Sequence, residues 1–196
     1  MREPSRLDSA QALGFPVADE PLAVDLADTL ITATDPSTDL LADETTCRRW
    51  WDLQRDRLPE GAGIPSLSAT AELRQAVRDI LDAHVGGTAP RQTSIDRVNV
   101  AAQACASTRK LVRTDSGWAS ETTLIAPHEP HQLALAAVAV SLIEILAGPT
   151  PDRLRRCANP TCSMLFLAQD ARRRYCTQNI CANRARAARH YRRHHT

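Results

Sequence analysis

Four cysteines near the carboxyl end of the chain form two pairs with the same spacing. Four residues separate Cys157 from Cys162, and four separate Cys176 from Cys181. Four thiolates complete the tetrahedral coordination of a structural zinc ion, whose paired ligands are commonly two to four residues apart. The spacing therefore predicts a structural zinc site at these four residues, which constrains how residues 151–196 can fold.

Other chemistry could use the same sulfurs. Four cysteines allow three disulfide pairings. Residues 1–10 lack the apolar core of a secretory signal, so we expect a cytoplasmic protein, and disulfides rarely persist in that compartment. A site of three cysteines and His190 is another alternative. His190 follows Cys181 by nine residues, about 13 Å along a helix axis, so four cysteines are the favoured ligand set.

Charge is divided unevenly along the chain. Residues 151–196 contain 11 arginines and two aspartates, a net charge of +9, whereas residues 1–150 have a net charge of −8. All but one of the 24 basic residues are arginine, which is typical of a GC-rich genome, but base composition does not explain the clustering. A concentration of positive charge of this size predicts a polyanionic partner such as a nucleic acid.

The periodicity of apolar residues predicts a mainly α-helical chain with two domains, 1–150 and 151–196, divided at the Gly- and Pro-rich segment 148–151. The first domain is predicted to be multihelical and acidic, with one β-hairpin, and the second to be a small unit made of a knuckle, a hairpin and a basic helix. Helices are expected at 22–31, 44–57 (starting as early as 39), from about 73 to Gly86–Gly87, at 95–105 and at 130–147. Hairpin strands are expected at 111–114 and 118–125, with Gly117 at positive φ in the turn.

Reactive groups in the first domain have mainly structural interpretations. Cys47 and Cys105 lie inside helical patterns and are predicted to be small core side chains. Asp25 and Asp28 are neighbouring carboxylates on one helix, which we interpret as its polar edge rather than as an acid/base pair. The hydrolase, P-loop and dinucleotide-binding motifs are missing from the sequence, so an enzyme is the weaker hypothesis.

The residues that follow Cys181 predict a basic helix. At about 100° per residue, Arg186, Arg189 and Arg193 lie on the side opposite Cys181. Guanidinium groups bind phosphates and the edge of guanine, so this side is predicted to contact DNA. RNA, an acidic protein or simple solvation of the basic side are the alternatives. The predicted DNA contacts also include Arg172, Arg173 and Arg174 in the segment that returns to Cys176.

The order of residues in this segment resembles the CGNR zinc finger. Both have Cys-x4-Cys, an arginine-rich return, an aromatic residue and a second Cys-x4-Cys, which here continues as Ala-Asn-Arg-Ala-Arg. Two positions depart from the pattern, since Ala182 stands in place of glycine and Tyr175 stands where tryptophan is frequent.

The amino-terminal part is similar to the ABATE domain of stress-induced transcription regulators. The similarity rests on residues 22–30, the helix that contains Trp50, and the hairpin after the fourth helix. Together the two resemblances imply zinc binding by the four cysteines, DNA binding by the finger and a role in transcriptional regulation. A small-molecule effector of the first domain is a further hypothesis.

Overall fold

The computed structural model of the chain describes residues 6–16, 19–105, 107–114, 117–124, 129–177, 181 and 183. This part of the chain contains six α-helices and three two-stranded antiparallel sheets. The helices are α1 (Arg6–Ala12), α2 (Leu22–Ala27), α3 (Glu44–Leu53), α4 (Leu67–Gly86), α5 (Gln92–Ala102) and α6 (Pro130–Leu146). The sheets pair β1 (Leu30–Ile31) with β2 (Thr38–Asp39), β3 (Ser107–Thr114) with β4 (Gly117–Leu124), and β5 (Leu154–Arg156) with β6 (Leu165–Leu167).

The prediction of a mainly helical fold is confirmed, with differences near the amino terminus. Helix α1 was not predicted, and the first predicted helix is shorter than expected. It ends at Ala27, where the hydroxyl of Thr29 donates to the carbonyl of Leu26 at 2.7 Å and the chain turns into β1. The small β1–β2 sheet adds a second sheet to a domain for which one hairpin was predicted.

Local signals in the sequence explain where the longer elements begin and end. Asp43 and Thr46 form a capping box at the start of α3, and the hydroxyl of Ser66 accepts the amide of Ala69 at the start of α4. Gly87 ends α4 with a φ of +66°, a left-handed conformation that favours glycine. The predicted hairpin is confirmed, and Gly117 has a φ of +131° at its turn.

The core of the helical domain forms where α2, α3, α4 and α6 meet. Trp50 and Trp51 are fully buried, and their rings meet edge to face at 4.9 Å. The indole nitrogen of Trp51 donates to the hydroxyl of Thr70 at 3.0 Å, so its burial leaves this polar group satisfied. Cys47 is also fully buried, as predicted, whereas the side chain of Cys105 lies outside the described residues. Among the described helices, none is long and apolar enough to cross a membrane.

Strand β6 connects this core to the four-cysteine segment. Its residues alternate between two sides, as strand geometry requires. Leu165 joins the main core together with Leu154 of β5, while Phe166 packs with the cysteines in a second cluster. In the finger, the apolar run 164–167 and the return 172–175 predict a second hairpin, but the structure pairs β6 with β5 across the first cysteine pair instead. The sequence boundary near residue 150 is therefore crossed by a shared apolar core.

Leu165→Ala tests this shared core. Because Leu165 is fully buried, we expect the substitution to lower the free energy of unfolding of the helical domain by about 2–5 kcal/mol. Urea denaturation followed by tryptophan fluorescence measures it, because Trp50 and Trp51 pass from full burial into water on unfolding whereas Trp118 is already 68% exposed. Leu111→Ala is the control, since Leu111 is 69% exposed and its replacement should change stability by less than about 0.5 kcal/mol. An unchanged tryptophan transition in Leu165→Ala would show that the two parts fold independently.

Candidate metal centre and its attachment to the helical domain

The four predicted ligands come together in space. The sulfur atoms of Cys157, Cys162, Cys176 and Cys181 all lie within 4.8 Å of one another, and those of Cys162 and Cys176 are 3.8 Å apart. A tetrahedron with zinc–sulfur bonds of about 2.3 Å has edges of about 3.8 Å, whereas a disulfide requires about 2.05 Å. The cysteines are free thiols at the spacing of a metal centre, so the disulfide alternative does not fit this geometry.

The electrostatics of the sulfurs also favour a cation. Hydrogen bonds from the thiols of Cys162 and Cys176 lower the pKa of Cys157 and so favour its thiolate. The hydrogen bond to Cys157 raises the pKa of Cys162, and the pKa of Cys176 is raised for the same reason. Four adjacent thiolates therefore require a positive ion among them, and a divalent ion that prefers four sulfur ligands meets this requirement.

A turn at Asn159 shapes the first cysteine pair. The side-chain oxygen of Asn159 accepts the amide and the hydroxyl of Thr161, and its carbonyl accepts the amide of Cys162 at 3.0 Å. Asparagine followed by proline, as at Asn159 and Pro160, favours a turn of this kind. The side-chain nitrogen of Asn159 also donates to the sulfur of Cys181 at 3.7 Å, a contact between the two pairs that spacing alone did not predict. Such contacts to ligand atoms orient them around a metal.

Asp28 attaches the first cysteine pair to the helical domain. Its carboxylate accepts the amide of Leu165 at 3.0 and 3.1 Å. Arg78 on α4 lies 3.4 Å from Asp28 and donates at 2.7 Å to the carbonyl of Ser163, the residue that follows Cys162. Burial raises the pKa of Asp28 well above its usual range, while the Leu165 amide and Arg78 act in the opposite direction. The buried carboxylate is thus held by donors from both parts of the chain.

Glu20 and Arg173 form the corresponding attachment of the second pair. Arg173 donates to Glu20 at 2.6 Å and to the carbonyl of Cys176 at 2.6 Å. Its guanidinium group also lies 4.5 Å from the centre of the Phe166 ring. The other oxygen of Glu20 accepts the amide of Leu167 at 2.8 Å. One buried carboxylate therefore links β6 to the backbone of a cysteine ligand.

The interpretation of Asp25 and Asp28 as a polar helix edge was wrong. Both carboxylates are buried, at 4% and 3% exposure. Burial raises the pKa of Asp25 to about 6, and Arg57, which donates to it at 2.6 Å, opposes that shift. Helical periodicity alone does not distinguish an exposed polar face of a helix from a buried face that carries ion pairs. No local pattern marked the partners of these acids, because Arg57 and Arg78 lie 32 and 50 residues away along the chain.

The predicted DNA-contacting arginines have different surroundings. Arg172 and Arg174 are exposed, and the carbonyl of Arg174 accepts the amide of Ala158, next to Cys157. Arg173 is engaged by Glu20, by the carbonyl of Cys176 and by the ring of Phe166. It therefore helps to hold the finger against the helical domain. Arg186, Arg189 and Arg193 lie outside the described residues, as does the predicted basic helix after residue 183. Tyr175, which replaces the frequent tryptophan, packs against the cysteine cluster.

These features define a helical domain that is joined through β6 to a compact four-cysteine centre suited to a metal ion. Comparison with protein families agrees with this description. Residues 20–149 match the ABATE model, described as "Putative stress-induced transcription regulator", and residues 153–194 match the CGNR zinc finger. The chain belongs to the ABATE family and carries a CGNR zinc finger at its carboxyl end. No curated protein matches the chain.

Metal analysis of the purified chain tests the centre. We expect one zinc ion per chain by elemental analysis, and a lower melting temperature after treatment with a chelator, because metal binding supplies part of the folding free energy. Cys162→Ser and Cys176→Ser should lower the zinc content strongly. Cys47→Ala is the matched control, since Cys47 lies in the other core and its replacement should leave one zinc per chain. Full zinc content in the Cys162→Ser and Cys176→Ser proteins would contradict the proposed ligand set.

Substitution of Arg173 and of its neighbour Arg172 distinguishes a residue that holds the finger on the helical domain from one that only contributes surface charge. Arg173→Ala should lower the free energy of unfolding by about 2–4 kcal/mol, because it leaves the buried Glu20 carboxylate without its cation. Arg172→Ala should change stability by less than about 0.5 kcal/mol, since Arg172 is exposed. Thermal and urea denaturation of the zinc-loaded proteins measure both values. Equal stability of the two variants would show that Arg173 does not help to hold the finger on the helical domain.

Proposed function

We propose that this protein is a zinc-dependent transcription regulator that binds DNA through its finger. The observation that carries the proposal is the position of the four-cysteine centre. It lies within the segment 151–196, whose net charge is +9, and the contacts of Asp28 and Glu20 hold it against a regulator-family domain. Zinc is the ion that the proposal assigns to the centre, because the four thiol ligands and their spacing suit it best.

The distribution of charge supports an approach of DNA from the side of the finger. The helical part of the chain, residues 1–150, has a net charge of −8 and would repel the phosphate backbone. Three of its acids, Glu20, Asp25 and Asp28, are buried and compensated by arginines, so they do not face a bound duplex. Arg172 and Arg174 are exposed in the segment that leads to Cys176, and the sequence of residues 184–196 adds five further arginines.

A binding function fits the centre better than catalysis does. Four cysteine ligands fill a tetrahedral shell and leave no position for water or substrate. The buried carboxylates of Asp25 and Asp28 are engaged by Arg57, Arg78 and the Leu165 amide, so they do not form a free acid/base pair. We therefore propose that the protein is not an enzyme.

A triple substitution tests the proposed DNA surface. Replacement of Arg186, Arg189 and Arg193 by alanine should weaken binding of duplex DNA in a mobility-shift titration. It should also lower the slope of log affinity against log salt by about one for each phosphate group that the variant no longer neutralises. The matched control replaces Arg48, Arg49 and Arg55, which removes the same number of charges from the exposed surface of the helical domain.

Two outcomes of this titration have different meanings. Weaker binding in the first variant with unchanged binding in the control supports the finger as the DNA surface. Equal weakening in both variants would indicate a non-specific effect of net charge. Competition by unlabelled duplex DNA, RNA and heparin at physiological salt completes the test. Equal competition by all three polymers would show a general affinity for polyanions and would contradict a DNA-specific role.

A further inference from the structure

A groove between α4, α5 and α6 has no part in the metal centre or in its attachment. Its volume is about 390 Å³, which lies within the range of about 300–1,000 Å³ typical of small-molecule sites. Its floor consists of the buried side chains of Ile80, Val98 and Leu142, and Ile143 stands at its mouth with 40% exposure.

The chemistry of the lining indicates which molecules the groove can bind. Among the described residues that line it, none is Asp, Glu, Lys or Arg. A charged ligand would lose its hydration there without gaining an ionic partner, so an uncharged ligand is favoured. Thr88 and Asn99 supply polar side chains to the lining, and these suit a hydrogen-bonding group on an otherwise apolar molecule.

The carboxyl-terminal segment of the same chain is a poor match for this groove. Residues 184–196 contain five arginines and three histidines, and Tyr191 is their one large apolar residue. An uncharged apolar groove does not complement such a sequence, because its guanidinium groups would require acidic partners.

One wall of the groove contacts the segment that leads into the finger. His84 on α4 lies 3.2 Å from the carbonyl oxygen of Pro151 through its Nε2 atom. Leu146 and Ala147, at the end of α6, also line the groove, and the chain continues from them to Pro151 and then to β5. A molecule in the groove would therefore contact α6, which leads into the finger, and α4, whose His84 contacts the connecting segment at Pro151.

We propose that this groove binds a small, uncharged and largely apolar molecule with a hydrogen-bonding group, and that its occupation tightens the finger on the helical domain. The proposal identifies the ligand class of the regulatory domain and does not depend on DNA contact by the finger. Occupation fills the space between α4 and α6 and so favours the arrangement in which Pro151 and β5 are docked.

The binding step can be tested with N-phenyl-1-naphthylamine, an uncharged aromatic amine whose fluorescence rises in apolar sites. The zinc-loaded full chain should bind it saturably at one molecule per chain. Ile143→Trp, which fills the mouth, and Ile143→Asp, which places a charge there, should each weaken binding at least about tenfold. Leu13→Trp is the matched control, because Leu13 has a similar exposure of 43% and lies outside the groove.

Further arms distinguish the groove from other apolar surfaces. Trp118→Ser should leave binding unchanged, although Trp118 is the exposed aromatic residue of the β3–β4 hairpin at 68% exposure. The anionic dye 8-anilinonaphthalene-1-sulfonate should bind more weakly than the uncharged amine. Binding that does not saturate, or that both Ile143 variants leave intact, would overturn the proposal. So would a stable dimer in sedimentation that Ile143→Asp dissociates, since a second copy would then cover the groove.

The coupling step has its own measurement. The transfer of zinc from the protein to the chelator 4-(2-pyridylazo)resorcinol should become slower when the amine is bound, by up to about tenfold at ten times its Kd. The transfer rate in Ile143→Trp should not respond to the amine. An unchanged rate in the wild-type protein at saturation would overturn the coupling. Because this readout uses zinc and not DNA, its failure is distinguishable from a failure of the proposed DNA binding.

Discussion

Two buried carboxylates satisfy the free edge of a short strand, and the arrangement of the whole molecule depends on this contact. Strand β6 pairs with β5 on one side, so the amides of Leu165 and Leu167 need acceptors on the other. Asp28 and Glu20 provide them. Each carboxylate would be costly to bury alone, but Arg78 and Arg173 compensate its charge. The guanidinium group of Arg78 also donates to the carbonyl of Ser163, next to Cys162, and that of Arg173 donates to the carbonyl of Cys176. Charge, hydrogen bonding and metal geometry are thus connected through two ion pairs.

This connection changes how the finger should be understood. A segment of this size buries little apolar surface by itself and usually depends on its metal. Here it also depends on its neighbour, because Leu154 and Leu165 are part of the helical core while Phe166 is part of the cysteine cluster. The two faces of β6 therefore belong to two different cores. Because β6 has only three residues, a change in the packing of one core alters the packing of the other.

Much of this protein could be predicted from residue patterns. The cysteine spacing identified the four sulfurs that converge, since ligands separated by short tight turns have few other arrangements. The apolar periodicity and the glycines at 87 and 117 identified α4, α6 and the hairpin. The predictions failed for pairs distant in sequence. Asp25 and Asp28 have the spacing of an exposed polar edge, and their partners lie 32 or more residues away, at Arg57, Arg78 and Leu165.

The sequence by itself determined the helical class, the metal-binding residues and the separation of charge, because each of these follows from local spacing or from composition. Only the tertiary structure decided that Arg173 belongs to the attachment while Arg172 and Arg174 are exposed, although the three are consecutive and chemically identical. It also decided that β6 pairs with β5. Burial of a charge and the pairing of strands depend on which distant groups meet, and that is fixed when the cores form.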